Sequence, residues 1–439
     1  MKTLLRFLPA LLVTTLTFPG CSPQQPSSPE TGAPTATSEK PAAPPTEPDD
    51  PEAVAELEKT GASLSRNDSA QITGINFAGS QGSDETLPLL EKLPSLTHLT
   101  LSGPAFTNDG MAAVGSLENL QFLSLEKTLF GDEGLEQLAP LKNLVVLRLR
   151  QTDISNDGLK HLADMDKLRE LDLRFTNITD AGLTHLKQLD SLSSVKLERT
   201  NVTDEGAKTL AEIPTLRRVN LNLTVVSNEG AVALAKAIPE LQGLELDDTS
   251  IDDAALEPIG KLEKLDTLHL RRDDVGDEGF EYIAGLPNMK TLLIRDTVIG
   301  DEGLAHVGKL KTLEVLDLNE TFIGDEGLAH LKDLSNLRVL ELWFTRISDE
   351  GLANISGLTN LIELNLEDTQ IGDAALEHLK PLTNLEVLNL KLTGVTDEGL
   401  KQLHGLKNLK RLNLGNTQVT DEGIEALKAA IPGIQVQAY

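Results

Sequence analysis

"LRELDLRFTNITDAGLTHLKQLDS", residues 168–191, changes its hydrophobic rhythm halfway along. Counting Leu168 as slot 1, apolar residues fall at slots 1, 4, 6, 11, 16, 19 and 22. Slots 4 and 6, Leu171 and Leu173, keep the two-residue period of a strand, whereas Leu183, Leu186 and Leu189 recur every three residues, like one face of a short helix. The stretch therefore predicts a strand, a turn, a short helix and a return.

The same pattern recurs in "LEVLDLNETFIGDEGLAHLKDLSN" at 313–336 and "LKRLNLGNTQVTDEGIEALKAAIPG" at 409–433. Its leading apolar residue falls at 72, 96, 120, 144, 168, 192, 216, 241, 265, 289, 313, 337, 361, 385 and 409. That makes fifteen repeats of 24 residues, with one spare residue in the seventh near "AKAIPE". A single coil of this kind cannot bury its own leucines, but stacked coils share a continuous core, so each repeat is stabilised by its neighbours. Aromatic residues are only 3% of the chain against 39% hydrophobic residues, which suits a core of Leu, Ile, Val and Ala. With strands about 4.8 Å apart, fifteen of them make a parallel sheet on the order of 70 Å long. Strands pack closer than helices, so the sheet is expected on the inner curve.

The pattern "LxxLxLxxT.I.DeGL..L..L" resembles the leucine-rich repeat, and its threonine version with "TDEGL" looks like the bacterial leucine-rich-repeat lipoproteins. It is also similar to the cysteine-containing repeats of eukaryotic F-box adaptors, with threonine in place of cysteine. The resemblance covers about 360 of the 439 residues. It implies an α/β fold: a right-handed leucine-rich-repeat solenoid, or horseshoe, with the parallel sheet on the concave side and short helices on the convex side.

The flanks read differently. Residues 1–20, "MKTLLRFLPALLVTTLTFPG", carry Lys2 and Arg6 before a short apolar run, the layout of a secretory signal peptide. Cys21 is the only cysteine, and "FPGC" looks like the lipidation box of bacterial lipoproteins. An ordinary secreted chain with a leftover thiol is the alternative. From Cys21 to residue 52 the chain is rich in Pro, Ser and Thr and poor in large apolar residues, so a disordered tether is expected. Residues 53–71 begin as an amphipathic helix, suited to an N-terminal cap on the repeats at 72–433, and residues 434–439, "IQVQAY", read as a closing strand.

Three repeated polar features need weighing. Threonine holds slot 9 in twelve repeats, from Thr128 to Thr417, where its hydroxyl can bond turn backbone groups that would otherwise be buried unpaired. Slots 13 and 14 hold 24 acidic residues and no basic one, which accounts for most of the net charge of −29. Carboxylates there favour a helix N-terminus; a calcium-binding ridge is the functional alternative, although the dense ligand spacing of a dedicated loop is lacking. His161, His185, His306, His330 and His378 all occupy slot 18 on the outer side of the short helix, without the companions expected of a metal site. No metal or other cofactor is expected.

No nucleophile with a base, phosphate loop or "GxSxG" turn appears, so an enzyme is not expected. Nucleic acid is disfavoured by the acidity and the lack of a basic stripe. A binding surface remains. Strand slots 3, 5, 7 and 8 point away from the core, and together they carry 12 basic and 14 acidic residues, so this inner face is nearly neutral on an acidic molecule. Arginine and aromatic residues favour protein interfaces, which singles out Arg148, Arg150, Arg174, Phe175, His269, Arg271, Arg272, Arg295, Glu341, Trp343, Phe344 and Glu367. The reading is an exported monomer of the bacterial cell envelope, on its periplasmic or surface side, held to the membrane only by its N-terminal lipid and binding a protein or peptide on its concave face. The alternative is a structural or adhesive envelope protein acting through its acidic convex surface.

Overall fold

The computed structural model describes residues 47–438. Asp50 caps the first helix by accepting hydrogen bonds from the N–H groups of Glu52 and Ala53, both at 2.9 Å, with Pro51 in the first helical position. Both features nucleate a helix, and α1 accordingly runs Pro51–Lys59 with Ala53 and Leu57 buried. It begins two residues before the expected start of the cap at 53, because the helix N-cap lies at Asp50. The signal-peptide and lipidation readings, Cys21 included, lie outside the described residues.

Strand β1 (Ser63–Arg66) pairs antiparallel with β2 (Ile72–Asn76), the strand of the first repeat. Each later repeat adds one three-residue parallel strand, from β3 (His98–Thr100) to β16 (Arg411–Asn413), and β17 (Gln435–Gln437) closes the far edge. Registers advance by one repeat: Leu316 pairs with Leu340 and Leu340 with Leu364. Slot-4 and slot-6 side chains therefore stack into columns that water does not reach, such as Leu292, Leu316, Leu340 and Leu364. The repeat spacing and the strand half of each coil are as the periodicity predicts. β1, however, carries no apolar alternation (its residues are almost all exposed), so only its pairing reveals it.

The helical side is irregular. Most repeats hold one or two turns, such as Asp132–Gln137, but the seventh and the last hold ten-residue helices, Asn228–Ala237 and Asp421–Ala430. The spare residue of the seventh repeat lengthens its helix by one position, so Ile238 still reaches the core and the sheet register is undisturbed.

Three recurring bonds brace the solenoid outside the core, one within each repeat and two between repeats. The slot-9 threonines donate Oγ1–H to the slot-6 carbonyl of their own strand, as in Thr345 to Leu342 at 2.7 Å. Asparagines at slot 24 donate to the return loop of the preceding repeat, as in Asn360 to Ser335 at 2.8 Å. At slot 13 every Asp or Asn with a repeat after it accepts the slot-12 N–H of that repeat. Asp325, for example, takes the Ser348 N–H at 2.8 Å and its hydroxyl at 2.6 Å. Asn108, Asn156 and Asn228 make the same bond without charge, so the bond needs an acceptor oxygen and not a carboxylate. The glycine at slot 15 follows from it: a Cβ on Gly351 would lie 2.1 Å from Asp325 Oδ1.

Candidate binding surface

With leucines turned inward at slots 4 and 6, slots 3, 5 and 7 line the opposite face of the sheet. Slot 8 joins them for a different reason. The strand has ended there, and slot 8 takes a left-handed conformation in all fifteen repeats, with φ from 52° at Asp368 to 99° at Gly103. Only Gly79 and Gly103 are glycines; the other thirteen have side chains, at a cost of roughly 1 kcal/mol each. The slot-8 N–H compensates by extending the ladder past the strand, as Phe344 does to the Glu367 carbonyl at 3.0 Å. The turn also holds the side chain clear of the core, and Phe344 is 58% exposed. A sequence signal for this existed: no slot-8 residue is β-branched, as a positive φ requires.

The face divides into two zones. In repeats 3 to 7, residues 120–240, slots 3, 5, 7 and 8 hold seven basic and four acidic residues. In repeats 8 to 13, residues 241–384, they hold three basic and ten acidic ones. The near-neutrality counted over the whole face conceals this polarity.

In the basic zone arginines cover aromatics. Arg148 lies over Phe122 at 5.1 Å, and Phe175 sits between Arg150 at 4.9 Å and Arg199 at 5.6 Å. Such contacts contribute about 0.5–1 kcal/mol at exposed sites. Arg174 grips the fully buried Asp172 at 2.7 Å and reaches Glu198 at 3.5 Å, while Arg148 pairs with Glu170 at 3.4 Å. Most charges here have an opposite partner.

In the acidic zone arginines reach across a strand. Arg271 reaches Asp317, two repeats away, at 3.0 Å, and Arg295 lies 4.7 Å from the Trp343 ring, also two repeats away, while bonding Glu320 through Nε at 2.9 Å. Trp343 is thus on the concave face, half-buried beneath a guanidinium, with Phe344 beside it at 6.4 Å between ring centres. Arg272 is exposed and paired with Asp248. Glu367 binds Lys391 at 2.6 Å.

The remaining carboxylates are poorly neutralised. Burial pushes Asp247 up to about 7, only partly opposed by the Arg271 N–H and guanidinium. Burial does the same to Glu341, also up to about 7, despite hydrogen bonds from Asn365 and Asn319. Glu245 and Asp317 are raised for the same reason. His269, 3.5 Å from Glu245, is driven down to about 3 by burial and by Arg271, so it is a neutral neighbour rather than a counter-ion.

Asp273 stands where the repeat expects the slot-9 threonine. It accepts from the Thr249 N–H and hydroxyl through Oδ1, its Oδ2 is buried without a hydrogen-bond partner among the described residues, and burial pushes it up to about 7. The break in the threonine column was its legible signal. Asp247 and Asp317 were hidden as ordinary members of a charged face; only packing distinguishes them.

The convex histidines are partly or fully exposed, and no three His, Cys, Asp or Glu residues converge to hold a metal among the described residues. Within that same range no helix is long and apolar enough to cross a membrane.

A family model described as Leucine Rich repeat matches residues 166–187, 212–235, 309–331, 357–379, 382–403 and 405–428. The fold is a leucine-rich-repeat solenoid. Similar solved structures include a leucine-rich-repeat protein of Leptospira interrogans, 21% identical over 80% of this chain and 91% of that one, with a TM-score of 0.53. An internalin of Listeria monocytogenes is 22% identical over 88% of this chain and 93% of its own, with a TM-score of 0.50. At these identities the likeness establishes the leucine-rich-repeat architecture. No curated protein matches the sequence.

Proposed function

We propose that this leucine-rich-repeat protein binds a protein or peptide ligand through its concave face, with no catalytic step. The observation that carries the reading is a division of labour within each repeat. Slots 1, 4, 6, 9, 11, 13 and 15 serve the core and the ladders, while slots 3, 5, 7 and 8 vary and are held outward, slot 8 by a backbone conformation that favours glycine yet carries side chains in thirteen repeats. Strain retained where a side chain is displayed fits a recognition surface. A stacked solenoid offers that surface preformed, which limits the ordering cost of association.

Arg148, Arg150, Arg174, Phe175, His269, Arg271, Arg272, Arg295, Glu341, Trp343, Phe344 and Glu367 are the proposed contacts, with Trp343 and Phe344 as aromatic anchors. Site-specific photo-crosslinkers at Asn319 and Glu367, against controls at the convex His306 and His330, test this in intact cells. Adducts from the concave positions support the reading; adducts from the convex positions alone would replace it with the adhesive one.

We further propose export and tethering through a lipid on Cys21, resting on the layout of residues 1–21. Cys21→Ala should release the protein from the membrane fraction, and continued retention would refute the anchor.

A further inference from the structure

We propose that the occupant of the concave face is a lysine- or arginine-rich segment of another protein, laid across repeats 8 to 13 with its cations on Glu245, Asp247, Asp317 and Glu341 and an apolar side chain on Trp343 and Phe344. The inference rests on the concave-face reading above and specifies its partner.

Three observations converge. First, the charge is sorted: ten acidic residues against three basic ones over repeats 8 to 13, and the reverse sign over repeats 3 to 7. A cationic segment drawn by the net charge of −29 is thus steered away from one half of the face and towards the other. Second, the central carboxylates lack cations. Arg271 is shared between Asp247 at 4.0 Å and Asp317 at 3.0 Å, while Glu341 has only the neutral amides of Asn319 at 3.2 Å and Asn365 at 2.8 Å. Third, the zone contains an aromatic step: Trp343 and Phe344 lie 6.4 Å apart between ring centres, and Phe344 is exposed, with Glu341 before them and Glu363, Glu367 and Asp368 on the next repeat. Charge with an adjoining aromatic anchor matches a basic polypeptide better than an inorganic cation. A second copy of this chain would bring another net charge of −29 and is disfavoured.

A cation placed here favours the ionised carboxylates, so binding releases protons. Asp247 faces Glu245, Asp248, His269 and Arg271, and Glu341 faces Asp317, Glu363 and the two asparagines. The affinity should therefore rise with pH through neutrality.

The test is to pan a random-peptide display library against the full chain, using the emission of Trp343, the sole indole, to report which peptides reach the concave face. Peptides that shift it should be enriched in Lys and Arg and bind about tenfold more tightly at pH 8 than at pH 6. They should bind about tenfold more weakly to the double variant Glu245→Gln, Glu341→Gln, but normally to the convex variant Glu302→Gln, Glu326→Gln, which loses the same charge. Glu367→Gln serves as a second probe if the double variant unfolds at a lower temperature. Peptides that shift Trp343 without basic enrichment, or that lose equal affinity to the convex variant, would overturn the basic-partner inference and leave the concave-face reading standing. Peptides that never perturb Trp343 would sink both. Self-association abolished by Glu341→Lys would overturn the inference in favour of a second copy.

Discussion

The two halves of the concave face share one backbone and differ in how their charges are settled. Over repeats 3 to 7, arginines stack on phenylalanines and hold nearby acids, with Arg174 on the buried Asp172. Over repeats 8 to 13, Asp247, Asp317 and Glu341 are packed in with fewer cations than carboxylates, and burial raises all three. The difference teaches that one repeat backbone can carry a largely ion-paired surface at one end and a carboxylate-rich, less neutralised one at the other. Unsatisfied groups that persist on a rigid face are where a partner has most to offer.

Breaking the settled half should do the most damage. Arg174→Met leaves Asp172 buried without its cation, and a loss on the order of 3 kcal/mol is expected in denaturant unfolding. Arg271→Met, which removes the ion pair with Asp317, should cost about 2 kcal/mol by the same measurement. Arginine on this face thus supports the fold as well as any partner. Arg272, exposed, should cost about 0.5 kcal/mol.

The unsettled half should instead respond to pH. Asp247, Asp273 and Glu341 bind protons more tightly folded than unfolded, so the stability they contribute is fully present below their unfolded values near 4. It is lost as pH rises through about 7. Thermal unfolding followed from pH 5 to pH 8 should show the midpoint falling up to about pH 7 and levelling beyond it, each group costing about 1.4 kcal/mol of stability per pH unit over the falling limb. Asp273→Thr restores the hydroxyl ladder and should flatten that slope; an unchanged slope would locate the titration elsewhere. A comparably small effect should come from Arg295→Ala, which uncovers Trp343 at a cost of about 0.5–1 kcal/mol. It should red-shift the indole emission and increase acrylamide quenching. Unchanged emission would mean that the ring is shielded by the sheet rather than by the guanidinium.

Much of this was legible in residue order. The leucine columns, the parallel sheet and the outward placement of Trp343 follow from a 24-residue period, because a strand's alternation leaves no other choice once slots 4 and 6 are apolar. The structural role of the slot-9 threonines followed from the need to satisfy turn backbone groups. The slot-13 acids were harder. Their place in a helix's first turn was visible, but the bond from Asp325 to Ser348 crosses to the next repeat, and only the stack reveals it. Strand alternation stops at slot 7 and does not by itself direct Phe344; the left-handed turn does.

From the chain of residues alone come the repeat, its fifteen copies, its buried columns and the face left free to vary, since these depend on local periodicity and on the need to hide leucines. The stack decides the rest. Arg295 meets Trp343 across 48 positions and Arg271 meets Asp317 across 46, distances in sequence that no local rule spans. Whether a carboxylate on that face is an ordinary surface charge or a half-protonated buried acid depends on what neighbouring coils place around it, because burial, not residue type, sets the cost of its charge.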